Sequence, residues 1–351
     1  MIHGVPIGTI TLEVTRRCHR RCAFCYMSGL AEPHDSPPDE LPAADLADLV
    51  GGLVRRTGCD RVQLSGGEPL LRPDLLPLVD GLRARGANLS MITDAGPLNA
   101  AMAGDLVARG VGPVQPTLLA GSAENHDALR GRGAFQETTR AIATAVAAGL
   151  VVTVSMVITR LNWREAGPVA DLAFALGART LGLSRFCSAG GAAPAHDALM
   201  PDAAQVYFAA AAAAARCDLH GLRLASVVTI PPCAWPDPTH PPLKVGVCSL
   251  MGPRTTVTVG PDGSVRSCTL SERVVGNLQT DDWEVLAERL WDQEIGPCRS
   301  RIPAQCRACA FVGRCHGGCR LSAEKVFGDL DHADPLAPAP AWSGGAGGAG
   351  E

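Results

Sequence analysis

Three closely spaced cysteines, Cys18, Cys22 and Cys25, follow an apolar segment at residues 7–14 that is predicted to be a β-strand. Their spacing, C-x3-C-x2-C, places three thiolates on one tight loop and offers no fourth. Such a loop can hold three irons of a [4Fe–4S] cube and leave the fourth iron free to bind another molecule. Because a metal site with an open position is a reactive one, we predict a reactive iron–sulfur site at the end of the first strand.

Two other uses of cysteine fit this loop less well. Disulfides need an oxidising compartment, whereas the chain has fourteen cysteines and no evident export signal, which favours the cytoplasm and metal binding. A structural zinc site needs four ligands, and the nearest spare one, His19, lies between the first two cysteines. The net charge of −4 argues against nucleic acid as the main partner, and no apolar run is long enough to span a membrane.

A glycine-rich motif follows the second predicted strand. Gly66, Gly67, Glu68 and Pro69 come after the strand-like residues 60–64 and before a predicted helix. Glycine lets a backbone approach a ligand closely, and a carboxylate is a natural partner for an ammonium group. Alone, the motif is typical of a turn; about forty residues after the cysteine loop, it indicates a second part of the same site.

Together, the two motifs resemble those of the radical S-adenosylmethionine (radical SAM) superfamily. The resemblance implies that the open iron chelates the amino and carboxylate groups of SAM, and that an electron from the cluster cleaves SAM to a 5′-deoxyadenosyl radical. That radical abstracts hydrogen from a substrate, so the chain is expected to be an enzyme. The residues for which the resemblance implies a contact with SAM are Tyr26, Gly66, Gly67, Glu68, Thr93, Thr117, Arg130 and Ser155.

Some of these positions keep a structural alternative. Thr93 begins a Thr-Asp-Ala-Gly sequence that is also typical of a plain turn, and Arg130 is equally suited to capping a helix or to the surface. Thr117 keeps the hydroxyl expected of the family, but Leu119 replaces the acidic residue found in many relatives. Cys187, after the sixth predicted strand, is a candidate donor of a hydrogen atom to the substrate radical, or else a small buried hydrophobe.

Predicted strands and helices alternate from residue 9 to about residue 186. Repeated β-α units predict a parallel sheet with helices outside it, and the carboxyl ends of its strands share one edge. Six such units fit a partial (β/α)6 barrel, the core fold of the resembled superfamily. The predicted strands are Ile10–Val14, Arg61–Leu64, Asn88–Thr93, Val114–Leu119, Val151–Ile158 and Thr180–Arg185, and the predicted helices are Ala43–Arg56, Leu75–Arg85, Leu98–Arg109, Phe135–Ala148 and Ala166–Leu176.

A second group of cysteines lies towards the C-terminus. Cys248 and Cys268 flank a predicted β-hairpin with a Pro-Asp-Gly turn. A C-x2-C-x5-C-x3-C run follows and indicates a metal site, for which a zinc ribbon is the alternative when the segment is considered alone. Its cysteines are Cys306, Cys309, Cys315 and Cys319.

With the N-terminal motif present, this layout resembles the SPASM extension of radical SAM enzymes. The segment from Gly318 to Pro335 is similar to that of PqqE-like and mycofactocin-type maturases. The resemblance implies one or two auxiliary iron–sulfur clusters, with Cys248, Cys268 and Cys319 in the first and Cys306, Cys309 and Cys315 in the second.

The second of these clusters lacks its usual fourth ligand. Relatives carry their last cysteine just after an Ala-Asp-Pro sequence, but here that sequence is followed by Leu-Ala, and no cysteine comes after Cys319. Either one iron stays open, or the cluster is not built, or another side chain completes it. The candidates are Asp331, His332, Asp334 and Cys298 for the second cluster, and Cys233 for the first.

These features divide the α/β chain into four predicted parts. Residues 1–190 form the radical SAM partial barrel, and residues 191–247 form a helical and proline-rich bridge. Residues 248–336 form the small SPASM-like domain with its β-hairpin. Residues 337–351 form a disordered tail, because they have almost no charge and cannot build a core.

The favoured function is the modification of a ribosomally made precursor peptide by a C–C or C–S crosslink or a related change. The chain opens directly on its first predicted strand, so a separate peptide-recognition protein is expected rather than a fused domain. The resemblance also implies a flavodoxin- or ferredoxin-type electron donor. The alternatives are epimerisation, dehydration or decarboxylation of a sugar, nucleoside or amino acid in natural-product biosynthesis, and a non-enzymatic role as an iron–sulfur electron carrier or redox sensor.

Overall fold

The computed structural model describes residues 1–35, 37 and 39–338. Strands and helices alternate along most of this part of the chain. The strands are β1 (Ile7–Glu13), β2 (Arg61–Ser65), β3 (Asn88–Thr93), β4 (Val114–Pro116), β5 (Thr153–Ile158), β6 (Thr180–Arg185), β7 (Arg223–Ser226), β8 (Thr255–Val259), β9 (Ser264–Arg266) and β10 (Gly276–Asn277). The helices are α1 (Ala43–Thr57), α2 (Leu75–Ala84), α3 (Ala100–Ala108), α4 (Ala123–Arg130), α5 (Ala134–Ala147), α6 (Ala166–Ala175), α7 (His196–Leu199), α8 (Ala203–His220), α9 (Trp283–Leu290), α10 (Gly296–Ser300), α11 (Val312–Cys315) and α12 (Arg320–Phe327).

The first seven strands are parallel to their neighbours. β1 to β4 pair in sequence order, and β5, β6 and β7 do the same in a second sheet. Two bridges, Val114 to Val152 and Thr117 to Ser155, link the end of the first sheet to the start of the second. The predicted α/β class with a parallel sheet is therefore confirmed.

The C-terminal hairpin joins the same sheet. β8 and β9 pair antiparallel around a turn in which Gly263 has a left-handed φ of 81°. β8 also pairs in parallel with β1, where Ile10 faces Val257. Strand pairing thus continues beyond residue 190, through β7 in the second sheet and through β8 and β9 in the first.

Apolar periodicity explains how the helices cover the sheet. In α1, Leu46, Val50 and Leu53 recur at helical spacing and are buried. The helix ends at Gly58, whose left-handed φ of 70° caps its carboxyl end. Ile10, in the middle of β1, is fully buried beneath this layer.

Two elements differ from the predicted ones. β4 stops at Pro116 instead of running to residue 119, because proline has no N–H group for the ladder. α4 was not predicted, since this short helix is mostly polar; it begins after Ser122, whose side chain caps its first turn.

Within the described part of the chain, no helix is long and apolar enough to cross a membrane. The predicted tail at 337–351 lies outside the described residues from residue 339 onwards. The predicted division at 190 and 247 remains a prediction.

Candidate functional site

The loop that carries the first three cysteines lies at the carboxyl end of β1. The backbone N–H of Cys18 donates to the Ala31 carbonyl at 3.1 Å, and that of Ala31 donates to the Arg16 carbonyl at 2.8 Å. The N–H of Cys25 donates to the Cys22 carbonyl at 3.0 Å. These bonds close the loop on itself at the end of the strand.

The thiols of this loop are held in a sheltered environment. Burial raises the pKa of Cys18 and of Cys25 to about 11 each, and their neighbours' charges add to that effect. Among the described residues, no three His, Cys, Asp or Glu side chains converge closely enough to share one metal ion. A [4Fe–4S] cube does not require such convergence, because it binds each cysteine through a different iron.

Gly66 and Gly67 pack directly against this cysteine loop. The N–H of Gly67 donates to the Thr15 carbonyl at 2.9 Å, and that of Glu68 donates to the Arg17 carbonyl at 2.7 Å. A Cβ at Gly67 would lie far inside 3.0 Å of the Arg17 carbonyl oxygen. The two glycines thus allow the end of β2 to meet the cysteine loop, a packing role in addition to the predicted approach to a ligand.

Glu68 is fully buried at the end of β2 and is held by three donors. Its carboxylate accepts from the Thr93 hydroxyl at 2.6 Å, the Asp94 N–H at 2.6 Å and the Leu70 N–H at 3.0 Å. Burial, together with the nearby Asp94, raises the pKa of Glu68 to about 7. The Thr93 hydroxyl is consequently engaged within the protein, and it orients the carboxylate of Glu68.

Asp94 connects the cysteine loop to α4, a role that the sequence motifs did not reveal. It accepts from Arg20 of the cysteine loop at 2.9 Å and from Arg130 at 2.7 Å. Burial opposes its ionisation, but His19, Arg130 and Arg20 outweigh burial and hold the pKa of Asp94 far below its usual range. The only local signal was its position directly after Thr93 at the end of a strand.

Arg130 is buried between β4 and Asp94. One of its terminal nitrogens donates to the Thr117 carbonyl at 2.6 Å. Its Nε atom is buried and has no hydrogen-bond partner among the described residues. The structure therefore places Arg130 in the interior, not at the surface, with one donor free for a ligand.

The remaining predicted contacts lie along the same strand edge. Thr117 and Ser155 face each other across the bridge between β4 and β5. The Tyr26 hydroxyl lies 3.4 Å from the Ser65 hydroxyl at the end of β2. Burial raises the pKa of Tyr26, so its phenol is neutral.

Cys187 lies beside the first C-terminal cysteine group, which consists of Cys248, Cys268 and Cys319. Burial raises the pKa of Cys248 and of Cys268; Cys319 adds to both effects, and Cys268 adds to that on Cys248. Cys187, after β6, donates to the thiol of Cys319; this contact raises the pKa of Cys187 and lowers that of Cys319. Cys187 thus lies buried beside this group, in contact with one of the predicted metal ligands.

A buried ion pair ties this group to the barrel. Arg185, the last residue of β6, is fully buried and pairs with Asp334. Asp334 also accepts from the N–H of Cys319 at 2.7 Å and of Leu336 at 2.9 Å. Its carboxylate is thus engaged within the protein, and the assignment of Asp334 as a cluster ligand remains a prediction.

The second C-terminal cysteine group lines an open pocket of about 300 Å³. Cys306, Cys309 and Cys315 lie on its wall, and Cys233 lies there with them. Cys233 therefore lies beside the second group, whereas its predicted role as a ligand of the first group remains a prediction. A second pocket of about 380 Å³ adjoins the same proline-rich loop.

Residues 12–173 match the family described as the radical SAM superfamily. A PqqA peptide cyclase from Streptomyces rochei is 31% identical over 340 residues, which cover 95% of this chain and 89% of that protein. The mycofactocin maturase MftC of Mycobacterium ulcerans is 29% identical, and the alignment covers 95% of this chain and 88% of MftC. The crystal structure of Streptococcus suis SuiB bound to the precursor peptide SuiA has a TM-score of 0.76 at 15% identity, covering 96% of this chain and 77% of SuiB. This last likeness is one of fold.

Proposed function

The chain belongs to the radical SAM superfamily, and we propose that this enzyme modifies a ribosomally made precursor peptide by forming a C–C or C–S crosslink or a related bond. The observation that carries the proposal is that two relatives, each aligned along about 95% of the chain, are named PqqA peptide cyclase and mycofactocin maturase MftC. The predicted likeness to PqqE-like and mycofactocin-type maturases is confirmed by the same comparisons. The predicted enzyme class is confirmed by the family.

The residues of the cysteine loop fit the family's cluster. Cys18, Cys22 and Cys25 would hold three of its irons, because their thiols share one loop beside the sheet edge. When bound, the cluster and SAM supply the 5′-deoxyadenosyl radical that removes a hydrogen atom from the substrate. The surrounding barrel excludes water and holds the substrate in position.

Two buried side chains fit the polar ends of SAM. Glu68 presents an oriented carboxylate to an ammonium group, and Arg130 has a buried Nε–H free to donate to a carboxylate. Asp94 holds Arg130 in place and balances its charge. The same proposal assigns the other contacts with SAM to Tyr26, Gly66, Gly67, Thr93, Thr117 and Ser155.

The C-terminal cysteines are proposed to hold auxiliary clusters that relay electrons to or from the substrate radical. Two contacts support this relay, because they hold the C-terminal region against the barrel: that between Cys187 and Cys319, and the Arg185–Asp334 ion pair. A return of hydrogen from Cys187 to the substrate remains the competing proposal for that thiol. The division into a barrel (1–190), a bridge (191–247) and a cluster domain (248–336) belongs to the same account.

The proposed partners follow from this chemistry. A flavodoxin- or ferredoxin-type protein supplies the electron, and a separate small protein presents the precursor peptide. A cytoplasmic location is proposed because free thiols persist in reducing compartments.

The test is a turnover assay under strictly anaerobic conditions. Protein reconstituted with iron and sulfide is reduced with dithionite and given SAM and a precursor peptide encoded beside its gene. We expect 5′-deoxyadenosine, methionine and a peptide of altered mass, and none of these with Cys18→Ala, Cys22→Ala and Cys25→Ala combined. SAM cleavage without a change in any encoded peptide, but with turnover of a sugar, nucleoside or amino acid, would favour the small-molecule alternative.

A further inference from the structure

We propose that Cys233, on the proline-rich loop before the cysteine-rich region, is the fourth ligand of an iron–sulfur cluster held by Cys306, Cys309 and Cys315. The inference rests on the proposed presence of auxiliary clusters and adds a ligand that lies outside the C-terminal cysteine run. It gives the second cluster a complete set of four thiolates without a cysteine after Cys319.

Geometry brings these four thiols together. Cys233, Cys306, Cys309 and Cys315 all line the open pocket of about 300 Å³. Cys233 is separated from the other three by more than seventy residues of sequence, so chain connectivity alone does not explain the convergence.

The composition of the pocket leaves no rival ligand on its wall. The other described residues that line it are proline, phenylalanine, valine, glycine and alanine, none of which binds iron through its side chain. Ala337, shortly after the Ala-Asp-Pro sequence, is one of them. The segment in which relatives carry their last cysteine thus reaches the pocket, but its side chain there is a methyl group.

The candidates predicted from the sequence are either engaged elsewhere or not among the described residues of the pocket wall. Asp334 is paired with Arg185. His332 is exposed, and its Nδ1 atom lies 2.9 Å from the carboxylate of Asp329. Cys298 is fully buried and, like Asp331, is not among the described residues of the pocket wall.

The loop presents Cys233 on a rigid turn. Pro231 and Pro232 precede it and restrict the backbone, and the N–H of Ala234 donates to the Pro231 carbonyl at 2.9 Å. Trp235, which follows, is buried and packs edge-on against Tyr207 of α8. The thiol is therefore fixed from both sides, as a ligand must be to hold a cluster.

A cluster with four thiolates has no open iron. By the distinction between closed and open metal sites, it suits electron transfer and does not bind substrate. The exposure of Cys233 places this cluster near the surface, where an electron donor can approach it.

Iron content tests the assignment in protein that lacks the SAM-binding cluster. In a Cys18→Ala, Cys22→Ala and Cys25→Ala background, only the C-terminal clusters contribute iron, sulfide and the electron paramagnetic resonance (EPR) signal of the reduced protein. Cys233→Ala leaves three thiolates, which can still hold a cube with one open iron, so we expect a changed EPR signal together with the loss of between one iron and the whole second cluster. Adding Cys217→Ala, a buried cysteine of α8 outside both groups, is expected to change neither.

Iron, sulfide and EPR signal that stay at the background level in Cys233→Ala would overturn the proposal, as would a background protein without C-terminal iron. If Cys233→Ala fails to fold, as judged by circular dichroism, the same measurements are made on Cys233→Ser. That variant keeps an oxygen donor and is expected to lose iron or to show a shifted EPR spectrum, and an unchanged spectrum at full iron content would contradict the proposal. None of these readouts uses SAM or peptide, so a failure of the proposed function would be seen separately, as normal iron content without peptide modification.

Discussion

Glu68 lies where the fold disfavours a negative charge, yet its proposed contact with the ammonium group of SAM requires one. Burial raises its pKa to about 7, so the carboxylate is partly protonated near neutrality. We expect the affinity of the reconstituted enzyme for SAM to fall below about pH 7 and to level off above it. Glu68→Gln should remove this pH dependence and weaken binding roughly 10- to 150-fold, since a charged hydrogen bond contributes about 1.5–3 kcal/mol. Equilibrium dialysis with labelled SAM measures both effects.

Glu288→Gln is the matched control, because Glu288 is exposed on a distant helix. If the affinity of Glu68→Gln for SAM still depends on pH in the same way, a group other than Glu68 causes that dependence. The effect of pH on folding has the opposite direction to its effect on SAM binding. Because the native state holds the proton of Glu68 more tightly than the unfolded state does, the free energy of unfolding falls as the pH rises from about 4.5 to about 7.

At this scale, local spacing predicted some residues and not others. Glu68 and its neighbouring glycines stand in one short motif, so the sequence reveals them. The role of Asp94 depends on its hydrogen bonds with Arg20 and Arg130, which are 74 and 36 residues away in the sequence. A local sequence pattern does not show such contacts.

The contact between the end of β2 and the cysteine loop is the critical junction between elements. Gly67→Ala would place a methyl group against the Arg17 carbonyl, which belongs to backbone and cannot rotate away. We expect the cysteine loop to be displaced and the SAM-binding cluster to be lost, with a destabilisation of about 1–3 kcal/mol. Iron analysis and thermal unfolding followed by circular dichroism measure the two effects.

Gly104→Ala provides the comparison, because Gly104 lies in α3 with open space around its Cβ position. That change should leave iron content unchanged and stabilise the helix by about 0.5–1 kcal/mol. Full iron content in Gly67→Ala would show that the loop tolerates the displacement.

The order of elements was readable from the sequence, whereas their long-range pairing was not. Alternating strand and helix patterns predicted the parallel sheet, because each β-α unit is local. The pairing of β8 with β1 joins residues such as Ile10 and Val257, and no local pattern specifies which edge a distant strand will occupy.

Across the whole molecule, the Arg185–Asp334 pair fastens the C-terminal cysteine region to the barrel. Both side chains are fully buried, so Asp334→Ala leaves an uncompensated positive charge. We expect a loss of about 3–5 kcal/mol in unfolding free energy, together with loss of iron from the first C-terminal group. Denaturant unfolding and iron analysis of the reconstituted protein measure these changes.

Glu284→Ala breaks the exposed pair with Arg56 and serves as the control. We expect this substitution to lower the free energy of unfolding by less than about 1 kcal/mol, because solvent screens exposed ion pairs. An Asp334→Ala protein as stable as the control would show that the ion pair does not join the two regions.

The grouping of the cysteines is likewise a property of the whole molecule. The sequence indicated two C-terminal sets, because their members are spaced at short intervals. It did not place Cys187 and Cys233, because each reaches its group through the fold: one from the end of β6, the other from a proline-rich loop that packs on α8.

The central claim is that this enzyme removes a hydrogen atom from a precursor peptide, and isotope transfer tests it most directly. Reconstituted, reduced enzyme is given SAM and the neighbouring precursor peptide, synthesised with deuterium at its side-chain carbons. We predict that the peptide's C–D bond breaks and that its deuterium appears in 5′-deoxyadenosine, which gains one mass unit while the peptide is modified. Formation of 5′-deoxyadenosine without deuterium, from protein with its full complement of clusters, would contradict the account.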